Sequence, residues 1–307
     1  GANSVAGNTV LGESALDAAV TGGNNVAIGI SALTENTSGD KNTSVGANSL
    51  DANTTGRLNT AMGQDALGAN TTADNNTAYG QAALSSNTTG ASNTGIGRGA
   101  LGLNTTASNN TAVGASALIA NTTGTSNTAV GANALDANTT GANNTACGQD
   151  ALSANTTANS NTAIGTNALL VNTTGANNTV VGKDSLRANT TGTQNAAVGT
   201  AALDANTTGN YNVAVGYNAL TTNTTAERNT AVGQSALKLN TTGNYNVAVG
   251  QGVLNDNTTA NNNTGIGYQA LKANTTGSHN VAVGRNCLLA NTTASDNTAV
   301  GSGTLDA

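Results

Sequence analysis

Small apolar and polar residues alternate along this chain in a pattern that returns every 17 residues. The register begins at Asn8 and continues, without insertion or deletion, through seventeen full copies (8–296) and a partial copy (297–307), after a lead-in at 1–7. We number the positions of each copy as columns 1 to 17. Helical solenoids need roughly 33 to 47 residues per repeat, so this period predicts one β-solenoid coil per copy. The sequence predicts an all-β β-solenoid or β-roll of about eighteen coils, in a single repeat domain over 1–307.

Four columns are nearly invariant and become ladders when the coils stack. Column 1 is Asn, column 5 is Gly and column 9 is Leu in every copy, and column 12 is Asn in every copy but the first, where Ala19 stands. Asn ladders suit the spacing of about 4.8 Å between strands, because each amide can donate to one neighbour and accept from the other. In copies eight and nine the predicted ladder residues are Asn127, Val130, Gly131, Leu135, Asn138, Asn144, Gly148, Leu152 and Asn155.

The segment Asn-Thr-Ala-Val-Gly is predicted to be the strand, with columns 2 and 4 on one side and columns 3 and 5 on the other. Asn-Thr-Thr-Gly is predicted to be a corner. We expect the Val or Ile of column 4 and the Leu of column 9 to fill the interior, with Cys147 and Cys287 as small buried groups. Tyr79 in column 4 is anomalous, so that column is only half buried or the coil opens there.

All charged residues fall in columns 6, 7, 10, 11, 16 and 17, which are therefore predicted to face water, with the other columns facing a neighbour. The net charge is −6. There is no basic footprint for nucleic acid and no apolar run long enough for membrane insertion. We find no catalytic, cofactor-binding or metal-binding pattern, and predict that the chain is not an enzyme and needs no cofactor.

One Val and one Leu per coil form a thin interior, so we expect partner chains to supply more apolar contact. The predicted partner is the chain itself, in a homo-oligomer such as a trimer or in an end-to-end filament. Neither end carries a polar capping repeat, so we expect sequence or further copies to continue the stack.

The strand motif resembles the YadA-like head repeats of trimeric autotransporter adhesins, as in Asn25-Val-Ala-Ile-Gly29 and Asn212-Val-Ala-Val-Gly216. The longer pattern, with Ala-Leu and Asn-Thr-Thr-Gly, looks like repeats of phage tail-fibre shafts. The adhesin repeat is shorter, about 14 residues, and the extra residues here fall around the predicted corner. The resemblance implies a trimeric, surface-exposed fibre that binds a receptor or acts as a spacer.

Aromatic and histidine side chains mark one candidate surface. A patch that stacks on a sugar is one interpretation, and packing on a neighbouring Val is the other; its residues are Tyr211, Tyr217, Tyr245, Tyr268 and His279. Lys183 with Asp184, and Glu227 with Arg228, are predicted to be solvated ion pairs. The Asn-Thr-Thr corners are also formal glycosylation sequons, for example at Asn53, Asn138 and Asn206.

These observations favour an extracellular structural or adhesive fibre, at a cell surface or on a virion, with a cell-surface receptor or glycan as a possible partner. The alternatives are a self-assembling filament subunit without a ligand and an ice-binding solenoid. Threonine ladders on a flat solenoid face can order water, and column 2 is Thr in thirteen of eighteen copies.

Overall fold

The computed structural model describes residues 5–306 and separates the chain into two compact units, Gly1–Thr157 (unit 1) and Ala158–Ala307 (unit 2). Each unit is all-β, and no helix occurs in the described part of either. The prediction of a single domain over 1–307 stays a prediction.

Each copy of the repeat contributes one strand of three residues, which occupies columns 2 to 4. The strands of unit 1 are β1 Thr9–Leu11, β2 Val26–Ile28, β3 Thr43–Val45, β4 Thr60–Met62, β5 Thr77–Tyr79, β6 Thr94–Ile96, β7 Thr111–Val113, β8 Thr128–Val130 and β9 Thr145–Cys147. The strands of unit 2 are β10 Thr162–Ile164, β11 Thr179–Val181, β12 Ala196–Val198, β13 Val213–Val215, β14 Thr230–Val232, β15 Val247–Val249, β16 Thr264–Ile266, β17 Val281–Val283 and β18 Thr298–Val300.

Within each unit, consecutive strands pair in parallel and in register. Thr128 of β8 lies opposite Thr145 of β9, and Val213 of β13 lies opposite Thr230 of β14. Backbone hydrogen bonds between coils continue outside the strands: Leu135 N donates to Ala151 O at 3.0 Å. The predicted β-solenoid with a 17-residue coil is confirmed.

The Asn of column 12 forms a continuous side-chain ladder in the interior. Asn138 Nδ2 donates to Asn121 Oδ1 at 2.9 Å and to Gly141 O of its own coil at 3.0 Å. Asn155 Nδ2 in turn donates to Asn138 Oδ1 at 2.9 Å. Asn138 is fully buried, so each amide depends on the coils above and below for its partners. The predicted Asn ladder is confirmed here.

The Asn of column 1 connects neighbouring coils differently. Asn127 Oδ1 accepts from the backbone N–H of Asn144 at 2.9 Å, and Asn127 Nδ2 donates to Gly141 O at 2.8 Å. One side chain thus satisfies a backbone donor of the next coil and a backbone acceptor of its own. An Asp at this column would lack the donor, and a Ser could not span both partners, because it carries a single hydroxyl.

Backbone conformation explains why column 9 is always Leu. Leu135 has φ +54 and is fully buried, and the other described copies share this left-handed conformation. A left-handed residue costs about 1–2 kcal/mol, and burying Leu contributes about 1.5–3 kcal/mol, so burial exceeds the strain. Val and Ile are excluded, because β-branched side chains tolerate positive φ worst. Leu therefore combines a large apolar volume with a Cβ that is not branched.

Two features of the backbone together require Gly in column 5. Gly131 has φ +136, a region that side chains rarely adopt, and a Cβ there would lie 2.5 Å from Gly148 O on the next coil. Either effect alone would disfavour a side chain at this position, and both apply.

The prediction that column 4 fills the interior is wrong. Val130 is 38% exposed, whereas Ala129 of column 3 is fully buried. The predicted alternation across the strand is correct, but the small residue points inward, because the narrow interior already holds Leu, Ala and two Asn side chains per coil. Tyr79 therefore needs no opened coil: it projects from an outward column and is 55% exposed.

The outward orientation of column 4 also changes the predicted burial of Cys147 and the predicted extent of the water-facing surface. Cys147, in column 4, is exposed, so its predicted burial is wrong, while Cys287 in column 8 is buried as predicted. Columns 2, 13 and 14 also contain half-buried or exposed residues, such as Thr54 and Thr55. The water-facing surface therefore extends beyond the six charged columns.

We predict that Asn138→Ala lowers the free energy of unfolding by about 2–4 kcal/mol, because it removes the donor to buried Asn121 Oδ1 and the acceptor used by Asn155. Urea unfolding followed by circular dichroism measures the change. Thr140→Ala, on an exposed position of the same coil, is the control and should alter the free energy by less than about 0.5 kcal/mol. Equal stability of the two variants would contradict the ladder's role.

Candidate interaction surfaces

Columns 2 and 4 together form a flat surface on each unit, which we call the outer strand face. Column 4 supplies a row of aliphatic side chains that are more than a third exposed, including Ile164, Val181, Val198, Val215 and Val249 in unit 2. No charged residue occurs in columns 1 to 5 of any copy. The outer strand face is thus an exposed and uncharged sheet surface, in which an apolar row in column 4 lies beside a column 2 row that is mostly Thr.

In unit 1 the outer strand face also carries an uninterrupted Thr row. Column 2 is Thr in seven consecutive strands, from Thr43 of β3 to Thr145 of β9. The hydroxyls of this row donate no hydrogen bond within the described protein, whereas the column 13 hydroxyl of Thr139 donates to Thr156 O at 3.1 Å. The two Thr rows therefore differ: column 13 holds coils together, and column 2 faces solvent.

Unit 2 carries a stack of aromatic and cationic side chains in column 17. The guanidinium carbon of Arg228 lies 5.4 Å from the ring centroid of Tyr211 and 5.5 Å from that of Tyr245. Arg228 Nη1 donates to Tyr245 Oη at 2.8 Å. We call these three residues the Tyr–Arg–Tyr stack. They occupy successive coils, because they are 17 residues apart.

The stack changes two sequence-based interpretations. Tyr211 and Tyr245 belong to one surface, as predicted, but the cation lies between their rings. The predicted ion pair of Glu227 with Arg228 is wrong, since Glu227 Oε1 accepts from Asn210 Nδ2 at 2.8 Å and Arg228 turns to the rings. The sequence did contain a pattern that could have predicted this contact of Arg228 with the rings. Tyr211, Arg228 and Tyr245 occupy column 17 in three consecutive copies.

The other candidate aromatic residues lie apart from this stack. Tyr217 and Tyr268 are 54% and 43% exposed, in column 6, beyond the far end of the strand. Five residues separate Tyr211 from Tyr217, and they include strand β13, so Tyr211 precedes that strand and Tyr217 follows it. The structure thus places the tyrosines on opposite borders of the outer strand face, and not in one patch.

His279 continues column 17 two coils beyond Tyr245. Its Nε2 lies 3.3 Å from Asn262 Nδ2, and its Nδ1 lies 3.9 Å from Asp296 Oδ1. The side chain is 60% exposed. These neighbours make it part of a polar surface row that extends from the stack.

The three candidate glycosylation sites, Asn53, Asn138 and Asn206, are fully buried members of the column 12 ladder. The Nδ2 atom that would carry a glycan donates to Asn36 Oδ1 in the case of Asn53, at 2.9 Å. A glycan at these atoms is incompatible with the folded coil, because it would remove that donor and occupy the interior.

Two carboxylates have shifted pKa values, which are lowered for Asp184 and raised for Asp51. The hydrogen bond from Asn167 Nδ2, at 2.9 Å, and the nearby Lys183 hold the pKa of Asp184 below its usual value. The predicted Lys183–Asp184 pair is present at 3.4 Å. Burial raises the pKa of Asp51.

Over residues 5–306 no three His, Cys, Asp or Glu side chains are arranged to hold a metal ion.

A depression of about 310 Å³ lies against the last coil of unit 2, between Leu288, Asn291 and Leu305. Elsewhere in the unit a following coil occupies the corresponding space, so the repeat geometry explains this depression.

No helix capable of crossing a membrane is found in the described residues. In comparisons with known proteins, no family model matches the chain and no curated protein matches it significantly.

Proposed function

We propose that this chain is a structural or adhesive fibre element that associates with further copies of itself. We place it outside the cell, at a cell surface or on a virion, because its strand motif resembles the heads of trimeric adhesins and the repeats of tail-fibre shafts. A trimer is the assembly that this resemblance implies.

The observation that carries the proposal is the outer strand face. Soluble monomers rarely expose apolar patches of more than a few hundred Å², and larger patches mark interaction sites. Nine strands at about 4.8 Å, each with three residues at about 3.3 Å, give a face on the order of 400 Å² per unit. A stable interface buries about 800 Å² per partner, so a face of this size supplies about half of one.

A second copy is the partner that best matches this face. Its side chains repeat at the spacing of the coils, so an identical ladder can meet it in register over the whole length, whereas an irregular surface meets it at only a few coils. The face carries no charge that a partner must neutralise. Packing the face also compensates for an interior that contains, in most coils, a single large aliphatic side chain, the Leu of column 9.

We predict that Val215→Lys combined with Val249→Lys converts the assembly to monomers, because two charges would be buried against an apolar partner. Both residues are 37% exposed in β13 and β15, so each unit should still fold. Light scattering coupled to size exclusion measures the mass. The control is Thr208→Lys with Thr242→Lys, on exposed column 14 positions of unit 2.

Cys147 provides a second readout, since it lies on the outer strand face of unit 1, while Cys287 is buried. In the assembly we expect Cys147 to react slowly with a maleimide, and to react faster on dilution to monomer. A chain that is monomeric at high concentration, with Cys147 fully reactive, would contradict the proposal.

A second candidate function, ice binding, is favoured by the Thr row of unit 1. Its solvent-facing hydroxyls repeat at the strand spacing on a flat surface. The neighbouring Tyr79 protrudes from column 4 and interrupts this flatness, which is why we prefer the fibre.

We expect no thermal hysteresis from the wild-type chain. A freezing-point gap that is abolished by Thr94→Lys, in column 2, and retained by Thr106→Lys, in column 14, would instead support ice binding through the Thr row. The paired variants distinguish a specific surface from a general effect of added charge.

A further inference from the structure

The Tyr–Arg–Tyr stack holds a cation in a fixed position on the surface of unit 2. Rings on both sides of the guanidinium, at 5.4 and 5.5 Å, and the 2.8 Å bond to Tyr245 Oη restrict its rotamers. An exposed arginine normally loses considerable side-chain entropy when it binds a ligand. Here much of that cost is already met in the free protein, so the site is pre-organised.

Arg228 also has binding capacity that the protein leaves unused. Arginine carries five N–H donors, and one of them is used in the bond to Tyr245. Among the described residues no carboxylate lies within ion-pair distance of Arg228, in contrast to Arg187, which contacts Asp204 at 3.0 Å. Its exposed donors therefore face solvent in the planar arrangement that binds a carboxylate or sulfate in two places.

The surroundings match the hydroxyl groups of a sugar. Tyr245 Oη accepts from Arg228 and retains its own proton to donate, and Tyr211 Oη is a second donor and acceptor. Beside the stack, column 16 provides the second oxygen of Glu227, whose Oε1 accepts from Asn210, and the second N–H of Asn244 Nδ2, which also donates to Thr242 O at 3.2 Å. Tyrosine rings that are 48% and 50% exposed add apolar surface for the C–H groups of a pyranose.

We propose that the Tyr–Arg–Tyr stack binds an acidic saccharide, that is, a sugar that carries a carboxylate or sulfate group. The oxyanion is bound by Arg228, and neighbouring hydroxyls are bound by the two tyrosines and by column 16. This site deepens the adhesive part of the proposed function and rests on it. It does not require the outer strand face, because its residues lie in columns 16 and 17.

Isothermal titration of the full chain with three oligosaccharides tests the proposal: a sulfated heparin hexasaccharide, an oligogalacturonate and a neutral malto-oligosaccharide. We expect the sulfated or the uronate probe to bind, with an affinity that falls as salt is raised. The neutral probe and inorganic sulfate alone should bind at least roughly tenfold more weakly, because each supplies only part of the contacts.

Variants locate the binding. Arg228→Gln should reduce the affinity for the acidic probe by roughly tenfold or more, while Arg285→Gln, which removes an exposed arginine in column 6, should leave it unchanged. Tyr211→Leu should also weaken binding, because it removes one side of the stack. Circular dichroism checks that each variant is folded.

Three results would overturn the proposal: equal binding by the Arg228 and Arg285 variants, equal binding of neutral and acidic probes, or no binding of either acidic probe at millimolar concentration. Light scattering of the Arg228 variant should give the wild-type mass. A failure of saccharide binding with an intact assembly thus refutes this site alone, whereas a monomeric wild type refutes the fibre.

Discussion

The buried asparagine amides are the constraint on which the rest of this structure depends. Most coils place two Asn side chains in the interior, and a buried amide without partners costs about 1–3 kcal/mol. Asn138 finds those partners in Asn121 and Asn155, each 17 residues away. A coil of any other length would misalign the amides, which explains why eighteen copies contain no insertion or deletion.

Backbone conformation then selects the remaining residues of the coil. Column 9 needs a large apolar side chain at positive φ, which favours Leu, and column 5 needs a residue without a Cβ, which requires Gly. Column 4 is a strand position, and the β-branched Val and Ile suit it. The repeat is thus a set of local requirements that neighbouring coils satisfy jointly, with little contribution from a large hydrophobic core.

Much of this fold could be predicted from the sequence, because a strict period and its invariant columns report directly on stacking. The orientation of column 4 could not, since hydrophobicity suggested an inward Val while the small Ala of column 3 was the better guide to a narrow interior. Charge columns indicated where water lies, but not that Arg228 prefers two rings to the adjacent Glu227. Such side-chain choices depend on neighbours 17 residues away, which become neighbours only after the coils stack. The outer strand face and the Tyr–Arg–Tyr stack also form only when the coils stack, because the constant spacing of coils places residues of one column in a row.

The most direct test of this account changes the coil length. Duplicating residues 127–143 inserts one complete coil between two existing ones, and we expect the product to fold with unchanged or higher stability in urea unfolding. The same duplication with one residue added in column 11 should lower the unfolding free energy markedly and reduce the β-signal in circular dichroism, because both Asn ladders would be interrupted. Equal stability of the two insertions would contradict the claim that the 17-residue asparagine register holds the coils together.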